Sequence, residues 1–500
     1  MSGKQSPVDP PTGGRLFVLE TRSVSGRRVL PLILVVLATG LARPRAVADN
    51  QGPVPLRVGF AQEEITPPIG MRLCGSFHER VSTGVHDPLW ARAIVFAQGS
   101  TAFALVGCDL AMISPSVASQ ARTAIEASCG LPPENVLVHG SETHNGPDYF
   151  GEFREAFHRR AFAEHGSDPA EPVDFPRLLA ERIAQAVCDA HANLASATIA
   201  CGETSCKGIA FYRRFRMSDG SIGWNPGRLN PAIVEPAGPV DPSVPVFVVY
   251  RKAEKTPAAI LTGFAMHLAI LNDSEYGADY PYYLARYLRD GLGSDVFVHF
   301  MQAPCCEVNH VDVSHDRPQK GHAWAQHVGK ALGDAVIQAV PDLNDITEPR
   351  LATETRTVLI KLREYPPDEV ARQRHRWYSE DREGTGFLDL VHAATVTGIY
   401  DRHEGGPVPV LLQAFRIDNE LAIVGLPSEV SVEFGLSLKQ RSPFQRTIVV
   451  QLSNDWFGYI PPRRIFAEGN YEAVVAKIKP GEGERMVEHA LDMLRELKGM

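Results

Sequence analysis

The sequence predicts an α/β fold in which buried mixed sheets are flanked by helices within a single large domain. Short apolar and β-branched runs alternate with helix-like stretches along the chain, which is typical of this class. The composition is that of a globular protein, with 44% hydrophobic and 22% charged residues among 500. No internal repeat or low-complexity linker divides the sequence after its N-terminal region. One continuous domain is therefore expected.

Eight strands and six helices are expected from these patterns. The strands are Thr101–Val106, Asn135–Val138, Val246–Tyr250, Ala258–Met266, Val296–Met301, Val410–Phe415, Glu420–Val424 and Thr447–Leu452. The helices are Ser116–Ser128, Pro176–Asn193, Ala323–Val340, Pro367–Ser379, Val430–Gln440 and Glu482–Lys498. Residues Arg416–Asn419 predict a hairpin turn between two of the strands.

The first 48 residues have the pattern of a secretory signal. Arg27 and Arg28 precede an apolar run, Val29–Ala42, and small residues at Ala46–Ala48 offer a cleavage site. The run is short for a membrane span, although an uncleaved amphipathic anchor is an alternative. Residues 49–500 are then the mature protein, which is expected in the periplasm or outside the cell. Export permits disulfides, and Cys201 and Cys206 are near enough in sequence to close a small loop.

The charge of the mature protein argues against a nucleic-acid partner. The whole chain has a formal net charge of −9. Residues 1–48 contain seven Lys and Arg against two Asp and Glu, which is +5, so the remainder carries about −14. Nucleic-acid binding favours a basic surface, and this one is acidic.

Polar residues gather where six of the expected strands end. His267, Glu429 and Tyr459 each follow such a strand, as does the segment His139–Pro147. In α/β sheets, ligands bind at the carboxyl ends of strands. Taken singly, each residue has an ordinary explanation: a histidine satisfied in the core, a carboxylate at a helix N-terminus, a packed tyrosine. The sequence has no GxSxG, HExxH or Walker motif, and no GxGxxG after a predicted strand.

Together and in order, these segments resemble the catalytic domain of the neutral/alkaline (non-lysosomal) ceramidase family. The resemblance extends from Val58 to Tyr471, nearly the whole mature chain. Its motifs are Val58-Gly59-Phe60 with Glu63–Pro67, Val85–Ala93 (VHDPLWARA), Glu142–Pro147 (ETHNGP, against the family's HTHSGP), Phe264–His267, Leu426–Glu429 (LPSE), and Tyr459 with Tyr471 twelve residues later.

The resemblance implies a zinc-dependent hydrolase that cleaves the amide bond of ceramide or a related N-acyl lipid. The implied zinc ligands are His267, Glu429 and Tyr459, with Glu142 standing where the family has its first zinc histidine. Zinc accepts a carboxylate as well as an imidazole, although such an acidic set also suits another divalent ion. His139 replaces Glu142 as a ligand only if the end of its strand is remodelled. Alternatively, Glu142 pairs with Arg213 and binds no metal.

The resemblance also implies three residues that act on the substrate. His144 matches the second histidine of the box, Arg213 an arginine that lines the pocket, and Tyr471 a tyrosine near the scissile carbonyl. Alternation along an extended segment predicts Glu142 and His144 on the same side.

Three points about the substrate follow from the sequence. The chain stops about thirty residues after Tyr471, so the β-sandwich domain that the family often carries is not expected. A lipid substrate would bring the protein into peripheral contact with a membrane. A metal-dependent esterase or phosphoesterase, and a binding protein with weakened catalysis, are the open alternatives.

Overall fold

Two sheets form the centre of the computed structural model, which describes residues 54–251, 254, 256–379 and 384–500. Within this part, the large sheet has nine strands, in spatial order Phe297–Gln302, Ala259–Phe264, Ser243–Arg251, Ala195–Ser205, Arg57–Glu64, Trp90–Gln98, Thr101–Cys108 and Val136–Gly140, with Asn344–Asp345 beside Ala195–Ser205. The small sheet has four strands, in the order Ala352–Ile360, Val408–Arg416, Leu421–Gly425 and Arg446–Val450. The expected signal segment lies outside the described residues.

Both sheets are mixed, as the sequence predicts. In the large sheet, Thr101–Cys108 pairs parallel with Val136–Gly140, and Ala259–Phe264 with Phe297–Gln302. In the small sheet, Leu421–Gly425 pairs parallel with Arg446–Val450. The expected hairpin turn is confirmed, because the Asp418 side chain accepts a hydrogen bond from the Leu421 amide at 2.7 Å.

The two sheets pack face to face, and helices cover their outer faces. Because side chains alternate along a strand, Phe103 and Leu105 point between the sheets while Ala104 and Val106 point towards helices. The ring of Phe103 stacks on Phe415 of the small sheet, with 4.6 Å between the ring centroids. The predicted α/β class is therefore confirmed.

The described part contains eleven α-helices, and all six expected ones are among them with slightly shifted ends. They are Pro115–Cys129, Glu152–His165, Phe175–Ala192, Tyr280–Leu292, Gly321–Ala339, Pro367–Tyr378, Phe387–His403, Val432–Arg441, Arg463–Glu468, Tyr471–Val475 and Glu482–Lys498. Two short 3₁₀ turns, Pro133–Asn135 and Val340–Asp342, accompany them. In the described ranges, no helix has both the length and the apolar character needed to cross a bilayer.

Several elements were not expected from the sequence. Helix Tyr280–Leu292 has four tyrosines, which are mediocre helix formers, and its stability comes from burying Leu284 and Leu288. Strand Ala195–Ser205 consists largely of small and polar residues, so it lacks a strong strand pattern. The other unexpected elements include strands Arg57–Glu64, Trp90–Gln98 and Ala352–Ile360, and helices Glu152–His165 and Phe387–His403.

The suggested bridge between Cys201 and Cys206 is wrong. All eight cysteines lie in described ranges and are free thiols. Cys201 packs into the apolar layer between the sheets, whereas Cys206 packs under the helices of the large sheet. An odd sequence separation along an extended strand places two side chains on opposite faces, so these thiols do not meet.

Three smaller strand pairs surround the ends of the two sheets. Two of these pairs position residues of the candidate site. Val308–Asn309 pairs with Phe211–Tyr212, and Glu429–Val430 pairs with Tyr459–Ile460. The remaining short strands are Gly84–Val85 with Glu275–Tyr276, and the group Ile233–Pro236, Arg214–Met217 and Ile222–Trp224.

Candidate active site

His267 lies just after strand Ala259–Phe264 and is held from one side of its ring. Its backbone N–H donates to the Val308 carbonyl at 3.1 Å, and its ring Nδ1 lies 3.0 Å from the same oxygen. A carbonyl oxygen only accepts hydrogen bonds, so Nδ1 carries the proton. In the neutral ring, the lone pair of Nε2 is then available to a metal or to a hydrogen-bond donor.

The other three expected ligands meet at this Nε2 atom. Glu142 Oε1 lies 3.2 Å from it, the Tyr459 hydroxyl 3.4 Å and Glu429 Oε2 3.5 Å. Two ligands of a tetrahedral zinc, at bond lengths near 2.0–2.2 Å, lie roughly 3.3–3.6 Å apart. The structure thus brings each of three residues from distant parts of the chain to ligand-to-ligand spacing from His267 Nε2.

Glu142 reaches this point from a strained backbone, not from an extended segment. Its φ is 79°, in the left-handed region, and its N–H donates to the Leu110 carbonyl at 2.9 Å. Glu142 and His144 line one cavity, as expected, but the expected cause is wrong, because this segment is not extended and side-chain alternation does not apply. Ser428 (φ 67°) and Asn470 (φ 68°) have similar strain just before other site residues. Such strain costs about 1–3 kcal/mol and clusters at functional sites.

Hydrogen bonds fix one oxygen of Glu142 and leave the other open. Oε2 accepts from Gln302 Nε2 at 2.9 Å, Gln451 Nε2 at 3.1 Å and Cys305 Sγ at 3.1 Å. Oε1 is buried and has no hydrogen-bond partner within the described ranges. Burial, reinforced by the nearby Glu429 carboxylate, raises the pKa of Glu142 to about 7. The open oxygen is the one that faces His267.

Glu429 and Tyr459 lie side by side because their two-residue strands pair in parallel. Glu429 Oε1 accepts a hydrogen bond from Trp456 Nε1 at 3.1 Å. Burial raises the pKa of Glu429, but the contacts with His267 and Tyr459 outweigh it and hold that pKa low. The helix-capping explanation of Glu429 is wrong, because Ser431 caps helix Val432–Arg441.

Arg213 is paired with a different glutamate than the alternative interpretation requires. Its Nε donates to Glu472 Oε1 at 2.8 Å, and its Nη1 lies 3.3 Å from His267 Nε2. Its Nη2 is buried and, among described residues, has no partner. Glu472 offsets the charge of Arg213. In the described ranges, no lysine or arginine forms an ion pair with Glu142 or Glu429. A divalent cation would balance their charges.

Cys305 forms a second group with Glu142 and His267, whose potential ligand atoms all lie within 4.8 Å of one another. Glu429 is outside that group, so its carboxylate must move towards Glu142 for both to bind one ion. The Cys305 side of His267 is less suitable, however. There Nδ1 donates to a backbone carbonyl, and the amides of Gln302 and Gln451 donate to the thiol. A cation there would face N–H groups, so the Nε2 side fits a metal better.

The expected catalytic residues lie around the same centre. His144 lines the cavity with its ring centroid 6.2 Å from that of His267, and burial lowers the pKa of His144 to about 3. Tyr471 also lines the cavity; its ring stacks on Trp224 at 4.7 Å and meets Tyr459 edge-on at 5.6 Å. Burial raises the pKa of Tyr471, so it keeps its proton at neutral pH.

Two other histidines are not part of the centre. His139 Nε2 contacts His299 Nε2 at 3.2 Å in the buried sheet, so His139 does not replace Glu142. His310 is buried near the site, and its ring nitrogens have no partner within the described part.

Sequence reasoning missed the residues that hydrogen-bond with Glu142 and Arg213. Gln302 directly follows the expected strand Val296–Met301, so the strand-end signal was present there. Gln451 lies inside an expected strand and Glu472 adjoins Tyr471, and neither carries a signal of its own.

The comparisons with known proteins identify the fold. No family model matches the sequence, and no curated protein matches it either. Neutral ceramidase from Pseudomonas aeruginosa has a similar structure, with a TM-score of 0.66 and 17% identity over 89% of this chain and 75% of that one. A ceramidase complexed with C2 gives 0.67 and 15% identity over 89% and 76% of the two chains. The resemblance expected from the motifs is confirmed as a shared fold.

Proposed function

We propose that this protein is an exported zinc-dependent hydrolase of N-acyl amides, such as ceramide or a related N-acyl lipid. The observation that carries the proposal is the meeting of two carboxylates and a phenol around Nε2 of His267. The fold shared with neutral ceramidase supports it. In this proposal residues 1–48 are a cleaved signal and residues 49–500 the enzyme. N-terminal sequencing of the exported protein tests that boundary, and an intact Met1 would contradict it.

Glu142, His267, Glu429 and Tyr459 would hold the zinc ion. Oε1 of Glu142, which has no hydrogen-bond donor in the described ranges, faces Nε2 of His267 at 3.2 Å, and these two atoms are donors that such an ion requires. When bound, zinc acts as a Lewis acid and lowers the pKa of a coordinated water from about 15.7 towards 7.

Three residues of the chain serve the reaction. Water adds to the amide carbonyl, the C–N bond breaks, and the amine leaves with a proton. His144 is neutral at neutral pH and moves that proton. Arg213 Nη2, a buried donor without a partner in the described ranges, and the Tyr471 hydroxyl donate to the developing oxyanion.

The test combines metal analysis with two assays on the same preparation. We expect about one zinc per chain and hydrolysis of a fluorogenic N-acyl lipid that a chelator abolishes. A phosphate ester, assayed in parallel, should not be cleaved. Stoichiometric metal with phosphatase activity alone would overturn the amidase, and metal with neither activity would identify a binding protein.

A metal-dependent esterase or phosphoesterase is the second candidate. It is favoured by the acidic ligand set, since two carboxylates suit harder ions such as Mg²⁺ or Mn²⁺. Activity that Mn²⁺ restores and Zn²⁺ does not, on an ester but not an amide, would support it.

A further inference from the structure

The cavity that holds the candidate centre continues along a wall with two more acids, Asp148 and Glu152. Both are buried, with 5% of each residue exposed. Neither is among the proposed metal ligands. A buried carboxylate is costly unless a cation or hydrogen bonds compensate it, so the partners of each acid indicate its role.

Glu152 is fully compensated from within the protein. Lys477 Nζ donates to its Oε1, and Arg402 Nη1 lies 3.2 Å from the same oxygen. Burial opposes ionisation, but these two cations outweigh it and lower the pKa of Glu152 to about 2. The negative charge of Glu152 is therefore already balanced within the protein, and it does not require a cationic ligand.

Asp148 has no such partner. Among described residues, no hydrogen bond or ion pair reaches its carboxylate, and burial raises its pKa to about 7. The nearest arginines are occupied: Arg72 binds Asp168 at 2.7 and 2.8 Å, and Arg154 binds Glu171 at 2.6 Å. Its carboxylate is thus an uncompensated acid on the wall of the cavity.

The surroundings of Asp148 favour an organic cation. The same wall is aromatic, with Phe77, Phe150, Phe153 and Trp456 lining the cavity. Apolar rings keep water away and strengthen the attraction between opposite charges. The rings of Phe150 and Trp456 already have the cations of Arg402 and Lys477 over them, at 5.1 and 4.9 Å, so the attraction for a ligand comes from Asp148.

We propose that Asp148 binds a protonated amino group of the substrate, so that the enzyme prefers N-acyl amines with a second, free ammonium group. This inference rests on the proposed amide hydrolysis for its catalytic part only. Asp148 is a specificity residue: its carboxylate compensates the ammonium group, while the amide carbonyl lies at the candidate centre.

The catalytic arm compares two substrates of the same length at pH 8, where an alkyl ammonium is protonated. They are N-acetyl-1,4-diaminobutane and N-pentylacetamide. A charge-assisted hydrogen bond is worth roughly 10- to 100-fold, so we expect that preference for the diamine in kcat/KM. Asp148→Asn should remove it by slowing the diamine alone. Glu164→Gln, which removes an exposed acid from helix Glu152–His165, is the matched control and should keep the preference.

The binding arm needs no catalysis. Calorimetry measures the affinity of n-pentylammonium and of 1-pentanol for four proteins: wild type, Asp148→Asn, Asp148→Ala and Glu164→Gln. We expect n-pentylammonium to bind at least about tenfold more tightly than pentanol, and only where Asp148 is present. If neither substrate is cleaved yet this dependence appears, the proposed reaction fails and the recognition stands. Equal binding of n-pentylammonium with and without Asp148 overturns the recognition, whatever the enzyme hydrolyses.

Discussion

One cavity contains two buried carboxylate sites with opposite electrostatics. At the candidate metal centre, Glu142 and Glu429 face His267 and no lysine or arginine in the described ranges pairs with either. On the wall, Glu152 has both Lys477 and Arg402. The two sites are equally dry, so burial does not distinguish them.

The difference shows which site is complete without a ligand. Breaking a buried ion pair costs several kcal/mol, because an uncompensated charge stays behind. The Glu152 cluster, meaning Glu152, Lys477 and Arg402, meets that requirement from its own chain. The candidate metal centre does not, and its backbone is also strained at Glu142. An external cation is what such a centre lacks, and substitutions in the two sites should therefore behave differently.

The largest effect is expected for His267→Ala. The imidazole Nε2 lies within 3.5 Å of all three other expected ligands. Residues that merely orient a metal ligand already contribute about 10–100-fold in metal affinity, so loss of a ligand itself should cost more. We expect metal affinity to fall by more than about 100-fold and amidase activity to fall below detection. Mass spectrometry of metal content and competition with a chelator measure this. Unchanged metal content would show that the centre lies elsewhere.

Substitutions of Glu142 should have the next largest effect on metal content, and they compare a carboxylate with an imidazole as the ligand at this position. Glu142→Ala should lower both metal content and rate, because its open oxygen is removed. Glu142→His should keep or improve zinc binding, since imidazole is a good zinc ligand. His144→Ala is the control, with a lower rate and full metal. Full metal occupancy in Glu142→Ala would instead indicate a structural carboxylate.

The sequence predicted which residues converge at the candidate centre better than it predicted their geometry. His267, Glu429 and Tyr459 follow strands whose apolar runs are plain in the sequence, and the motifs set their order. The φ of Glu142 was not predictable, because it is imposed by the fold and not by local preference. The same is true of Gln451, whose position inside a strand hides its contact with Glu142.

The fold was predicted in part for a similar reason. Strands with continuous apolar runs, such as the expected Thr447–Leu452 of the small sheet, were recognised because burial on both faces leaves a clear pattern. Helix Phe387–His403 was missed because it mixes β-branched residues into a stretch without a polar face, and tertiary packing overrides that preference.

The Glu152 cluster should respond in stability and not in metal. Glu152→Ala leaves Lys477 buried without an anion, so we expect a loss of about 3–5 kcal/mol in the free energy of unfolding. Metal content should not change. Denaturant unfolding measures the loss. Glu152→Leu with Lys477→Met is the control, because it removes the buried ion pair, leaves only the partly exposed Arg402 and should recover much of the stability. Metal loss with intact folding would contradict the separation of the two sites.

The same cluster predicts how stability depends on acid. The pKa of Glu152 is about 2 in the folded protein, against an ordinary 4.5. Its contribution is therefore complete above about pH 4.5 and is lost as the pH falls through 2. At roughly 1.4 kcal/mol per pH unit, it amounts to about 3 kcal/mol. The difference in stability between wild type and Glu152→Ala, measured by urea unfolding from pH 6 downwards, should shrink below pH 4.5. A constant difference would refute it.

Gln451→Leu should have the smallest effect, and it tests how Glu142 is oriented. The Gln451 amide donates to Glu142 Oε2 at 3.1 Å, and with Gln302 it fixes that oxygen so that Oε1 faces His267. Loss of such an orienting bond typically lowers metal affinity about 10–100-fold without removing the ligand. We therefore expect weaker zinc binding in chelator competition, with activity recovered at high zinc. The Glu152→Leu and Lys477→Met variant provides the contrast, because it alters the same cavity but leaves the bonds to Glu142 intact. If Gln451→Leu binds zinc as tightly as wild type, the amide serves packing alone, and the orientation of Glu142 has another cause.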